Sequence, residues 1–85
     1  MRDYSKIVGV LKYARRPLCA FEFQNEIFTG PERTTMPARV YVGCTEATLA
    51  RRLREAVALG LVISSKRQAQ SGAWLAQYSA KPEVP

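Results

Sequence analysis

One stretch, residues 45–62 (TEATLARRLREAVALGLV), is bounded at both ends by its own chemistry and constrains everything around it. Leu49, Leu53, Ala56, Val57 and Gly60 follow helical spacing and form one apolar or small stripe. Ala47, Thr48, Arg51, Arg54 and Ala58 fall on the opposite side, with Arg52 and Glu55 flanking it. Thr45 offers a hydroxyl to the free N–H groups of the first turn, and Glu46 places an acid at the positive end of the helix dipole. Gly60 supplies a left-handed residue, and the β-branched pair Val62-Ile63 does not extend a helix. The pattern predicts a helix over 45–59 with an apolar face and an arginine-rich face.

A chain of 85 residues has room for one domain with a small core. Its 13 Lys+Arg against 7 Asp+Glu give a net charge of +6. That tilt points to polyanionic partners. The chain has no histidine, which removes imidazole base catalysis and the Ser-His and Cys-His nucleophile pairs. Two cysteines, Cys19 and Cys44, do not complete a four-ligand metal site, and reduced thiols are expected rather than a disulfide. An enzyme, a cofactor and a metal are therefore not expected. With no membrane-length apolar run and no secretory leader, a cytoplasmic protein is expected, nucleoid-associated if it binds DNA.

Ahead of the central stretch, residues 3–14 place Ile7, Val10, Leu11 and Ala14 on one helical face, with Asp3 or Ser5 as cap. Pro17 closes this first helix, because proline disfavours helical geometry in the residue before it. Pro17-Leu18 forms a connector or a very short edge strand. Residues 19–28 (CAFEFQNEIF) read as a second helix with Ala20, Phe23 and Ile27 inward and Glu22 and Glu26 outward. The alternation of Phe21 and Phe23 also fits a strand. Residues 29–44 (TGPERTTMPARVYVGC) are expected to be a long loop, broken by Gly30-Pro31 and Met36-Pro37, with Arg39-Val40-Tyr41-Val42 as a short extra strand.

Beyond the central stretch, residues 61–66 and 73–79 read as strands around a polar turn, which makes a β-hairpin. Trp74, Ala76 and Tyr78 share one face of the second strand and Leu75 takes the other. Trp74, Tyr78, Phe23 and Ile27 are expected in the core. Residues 81–85, with two prolines, are expected to form a disordered tail.

Helix, short strand, helix, helix and hairpin, in that order, resemble a winged helix-turn-helix domain over residues 1–80. Thr48-Leu49-Ala50-Arg51-Arg52-Leu53-Arg54 is similar to the recognition-helix core of the arsenic-repressor and multiple-antibiotic-resistance repressor families. Gly60-Leu61-Val62 matches their helix-to-wing junction. Lys66-Arg67 and Tyr78 match the basic strand and the returning aromatic of their wing. The resemblance implies an α+β, mainly α fold of three helices and a C-terminal wing. It departs from the family at residues 29–44, where a tight turn is usual, and the chain leaves no room for an effector-sensing domain.

The resemblance also implies double-stranded DNA as partner, in a small transcription regulator of phage or plasmid type. Helix 45–59 would read the major groove and wing 64–73 the backbone or minor groove. Arg51, central on the exposed face, is the candidate for a two-bond contact to guanine, with Arg52 and Arg54 on phosphates. Thr45 and Thr48 sit at the end that enters the groove, and Lys66, Arg67 and Gln70 make the wing basic and polar. A homodimer, weak or assisted by DNA, is expected, because one such module buries little surface. Two other classes fit the same residues: a protein–protein adaptor or phage-type inhibitor docking through 29–44, and an architectural excision or packaging factor.

Overall fold

A computed structural model describes residues 4–29 and 33–81. In chain order it contains α1 (Ser5–Ala14), a 3-10 helix (Ala20–Gln24), β1 (Ile27–Thr29), β2 (Thr35–Pro37), α2 (Ala38–Val42), α3 (Glu46–Ala58), β3 (Val62–Gln68) and β4 (Trp74–Ala80). The class is α+β. β1 and β2 form one small antiparallel hairpin and β3 and β4 a longer one.

α3 follows from the local signals. Thr45 Oγ1 accepts from the Thr48 N–H at 3.3 Å, and Leu49, Leu53 and Ala56 are buried. At the far end the Gly60 N–H donates to the Val57 carbonyl and the Leu61 N–H to that of Ala56. This paired closure requires a left-handed residue, and Gly60 has φ +77°. α1 ends differently, on Arg15 at φ 56°, whose N–H reaches the Leu11 carbonyl. Of the two caps considered for α1, Ser5 is its first residue and Asp3 lies outside the described residues.

Residues 19–28 do not make an α-helix. The Glu22 carboxylate turns back to accept the Cys19 N–H at 2.7 Å, closing a capping box around a short 3-10 helix. The chain then extends into β1, where alternation buries Phe28 and leaves Ile27 54% exposed. Phe28 is the inward residue because its ring packs edge-on against Tyr13 and at 4.5 Å from Tyr41. Ile27 is therefore not a core residue.

The expected loop over 29–44 is largely ordered secondary structure, although Gly30, Pro31 and Glu32 lie outside the described residues. β2 returns beside β1, pairing Phe28 with Met36. Residues 39–42, expected as a strand, belong to the helix α2. Pro37 precedes it with φ −59°, the Ala38 N–H is anchored on the Glu26 carbonyl at 2.7 Å, and Gly43 at φ 73° ends it. Only Gly43, Cys44 and Thr45 separate α2 from α3.

The C-terminal hairpin has the expected order with longer strands, so Arg67 and Gln68 belong to β3 rather than to the turn. Leu18 bridges to β4, its N–H and carbonyl each bonded to Tyr78 at 2.8 Å. That bridge adds a third chain segment to the sheet. Val10, Leu11, Leu18, Phe23, Leu49, Leu53 and Tyr78 are among the residues that close one core. Trp74, expected there, is 64% exposed, because it is the first residue of β4 after the turn, four residues from Tyr78 in the core. Of the expected tail, residues 82–85 lie outside the described residues.

Candidate nucleic-acid interface

α3 turns its two sides to different surroundings. Its leucine stripe fixes the rotation of the helix, which leaves Ala47, Arg51, Arg54 and Ala58 exposed. Among the described residues, none forms an ion pair with Arg51 or Arg54. Glu55, on the flank, accepts a hydrogen bond from the Tyr4 hydroxyl at 2.9 Å.

Grooves run along both flanks of this helix. On the hairpin side, Arg54 and Val57 face Ser64, Lys66, Ala76 and Tyr78 across an open cleft. On the α2 side, Thr45, Thr48 and Arg52 face Arg39, Val40 and Gly43. Each groove thus carries cations from two separate elements, Arg54 with Lys66 in one and Arg52 with Arg39 in the other. Arg52 is half-buried and its Nε is enclosed without a hydrogen-bond partner among the described residues. Enclosure favours an acceptor for that N–H, since an unpaired buried donor is costly.

Among the expected contact residues, Arg52 lines the α2-side groove, Arg54 and Lys66 line the hairpin-side groove, and Arg51 is exposed on α3. Gln70 lies exposed in the hairpin turn. The Thr45 hydroxyl is engaged by α3 itself, accepting from the Thr48 N–H and donating to Thr48 Oγ1 at 3.1 Å. Its capping role is what the geometry displays.

Arg67 differs from its neighbour Lys66. Opposed residues in an antiparallel pair share a face, and successive residues alternate. Lys66 opposes Ala76 and Arg67 opposes Leu75, so the two basic side chains leave opposite faces of the hairpin. Arg67 Nη2 donates to Glu22 Oε1 at 2.9 Å and lies 3.2 Å from Cys19 Sγ. It is a latch between the hairpin and the 3-10 helix rather than part of the α3 face. Glu22 reaches it from the other side because its second role, capping Cys19, already points it there.

The titration of this cluster follows from its contacts. Burial pushes the Glu22 carboxyl up, but the Cys19 N–H and the Arg67 guanidinium outweigh it and leave its pKa below the ordinary value. Burial raises the Cys19 thiol, against the pull of Arg67. The hydrogen bond to Glu22 raises Arg67 further above neutrality. A thiol held protonated is a poor nucleophile. Both cysteines are free.

The spacing of Cys19 and Glu22, three apart at a helix start, carried the signal for this latch. Arg39 carried none, because its place beside Arg52 depends on α2 being a helix. Among the described residues no three His, Cys, Asp or Glu side chains gather as metal ligands, and no helix is long and apolar enough to cross a membrane. No family model matches the chain, and no curated protein or solved structure is significantly similar to it.

Proposed function

We propose that this chain is a winged helix-turn-helix domain that binds double-stranded DNA, with α3 in the major groove and the β3–β4 hairpin on the flanking backbone or in the minor groove. The observation that carries the reading is the unpaired cationic face of α3, continued by Lys66 across the hairpin-side groove. A duplex presents two phosphate strands on either side of its major groove, and α3 has a cation-bearing groove on each flank.

The connection between helices also supports the reading, in a form different from the one expected. α2 takes the part of the first helix of the motif, and Gly43-Cys44-Thr45 makes the tight turn in place of the long loop expected over 29–44. The 3-10 helix and the β1–β2 hairpin then form an insertion between Leu18 and α2. Leu18, paired with Tyr78, corresponds to the short strand that precedes such a motif. Within this reading Arg51 contacts a base, and Arg52, Arg54 and Lys66 contact phosphates. A role in transcription, from the cytoplasm and as a weak or DNA-assisted homodimer, belongs to the same proposal.

A second reading, docking of a protein through 29–44, draws on one observation: Val40 is 62% exposed on α2. Fluorescence anisotropy with random duplex at two salt concentrations separates the two. The DNA reading expects binding that falls steeply with salt and is damaged by Arg51→Ala/Arg54→Ala. Absence of binding at low salt by the folded protein would overturn it in favour of a protein partner.

A further inference from the structure

Trp74, the only tryptophan in the chain, stands 64% exposed at the outer end of β4. The register shows which way its face points. Trp74 opposes Gln68, Ala76 opposes Lys66, and Tyr78 opposes Ser64, so these six residues share one face of the hairpin. At its base that face is the core, through Tyr78. Further out it lines the cleft with Arg54, through Ser64, Lys66 and Ala76. Trp74 is the next residue on the same face. Strand rise places it roughly 13 Å beyond Tyr78.

Among the described residues none covers most of the ring, which stands largely in solvent. The residue opposite is polar, and the Gln68 amide is turned to the Gly72 carbonyl at 3.2 Å. Lys66, the nearest charged residue on the face, is exposed, and among the described residues it has no ion pair. An apolar plate beside two uncompensated cations is complementary to a polymer with an anionic backbone and flat or apolar interior parts.

We infer that Trp74 is the apolar half of a duplex-binding site whose cationic half is Arg54 and Lys66. Its indole packs against deoxyribose and base edges in the groove that receives the hairpin. This rests on the DNA-binding reading and adds to it a salt-insensitive contact. Aromatic and apolar side chains used this way contribute through contact area and partial unstacking, not through counterion release. Loss of Trp74 therefore lowers affinity at every salt concentration by a similar factor, whereas loss of Lys66 changes the slope.

The experiment follows two signals in one titration with a labelled random duplex: label anisotropy, which reports binding, and tryptophan emission, which reports only residue 74. Wild type is expected to bind with quenched emission. Trp74→Ala is expected to bind roughly 10- to 100-fold more weakly with an unchanged salt slope, and Trp74→Phe to recover most of the loss. Binding by wild type with unchanged emission, together with undiminished binding by Trp74→Ala, would overturn the inference and leave the DNA reading standing. No binding by wild type at low salt would overturn both. Emission that shifts with protein concentration alone, without DNA, would assign the ring to a second copy of the chain and overturn the inference.

Discussion

Two sets of basic side chains in this small protein have opposite surroundings. Beside the 3-10 helix, Arg16 is paired with Glu26 and lies 3.9 Å from Glu22, while Arg67 is paired with Glu22. Along α3 and the hairpin cleft, Arg51, Arg54 and Lys66 have no acidic partner among the described residues. The first set is spent on holding elements together, and its charge is largely cancelled at short range. The second projects its field outward, where it can draw a polyanion from solution. Net charge alone would treat both sets alike. Glu22 and Glu26 decide that the first set is the paired one.

That contrast can be broken most forcefully on the unpaired side. Arg51→Ala/Arg54→Ala should cost about 1–3 kcal/mol at a specific site for the base contact, plus further loss from a phosphate contact. Thermal melting should hardly change, because neither side chain has a partner to lose. A double variant that melts early but binds normally would reverse the assignment of the two sides.

The paired side should give the complementary result. Glu22→Ala leaves the buried Cys19 N–H without its acceptor and should destabilise the fold by about 1–3 kcal/mol in urea titration. A pH series on the wild type tests the same contact. Folding lowers the Glu22 pKa, so its contribution is complete above the ordinary carboxylate range and is lost as pH falls through the folded value. The acid limb of stability should flatten in Glu22→Gln; an unchanged limb would mean that another group carries it.

Smaller effects sharpen the picture. Thr45→Ala should lower stability by about 1 kcal/mol in chemical denaturation, the usual value of a helix cap. A loss of DNA affinity exceeding that destabilisation would show that the Thr45 hydroxyl also meets the nucleic acid. Lys66→Ala should reduce the slope of log affinity against log salt by about one. Arg67→Ala should leave that slope unchanged while loosening the hairpin. Equal slope changes from these two adjacent residues would erase the distinction between the faces.

What was legible in the sequence was whatever is decided within a few residues. The start, end and buried stripe of α3 rest on Thr45, Gly60 and the leucine spacing, and the β3–β4 hairpin rests on alternation around a polar turn. Local hydrogen bonds and side-chain periodicity act there without help from distant residues. Residues 19–44 were not legible because their short segments have no such autonomy. Five residues of α2 do not sustain a helix alone, and they hold one because Ala38 is anchored on Glu26 and Tyr41 packs on Phe28.

The same limit applies to individual side chains in the candidate site. Sequence placed Arg51 and Arg54 on the exposed face of α3, since helix periodicity settles that much, and Lys66 with Arg67 at the basic tip of the hairpin. It did not separate Arg67 from Lys66, or Trp74 from Tyr78, because those differences depend on what stands across from each side chain. Glu22 meets Arg67 from a position 45 residues away in the chain. Tyr78 is covered by the core whereas Trp74 lies beyond its edge. Local sequence determined the elements and their faces; only tertiary packing decided which charges were cancelled and which aromatic ring was left in water, because burial and ion pairing are properties of residues brought together by the fold.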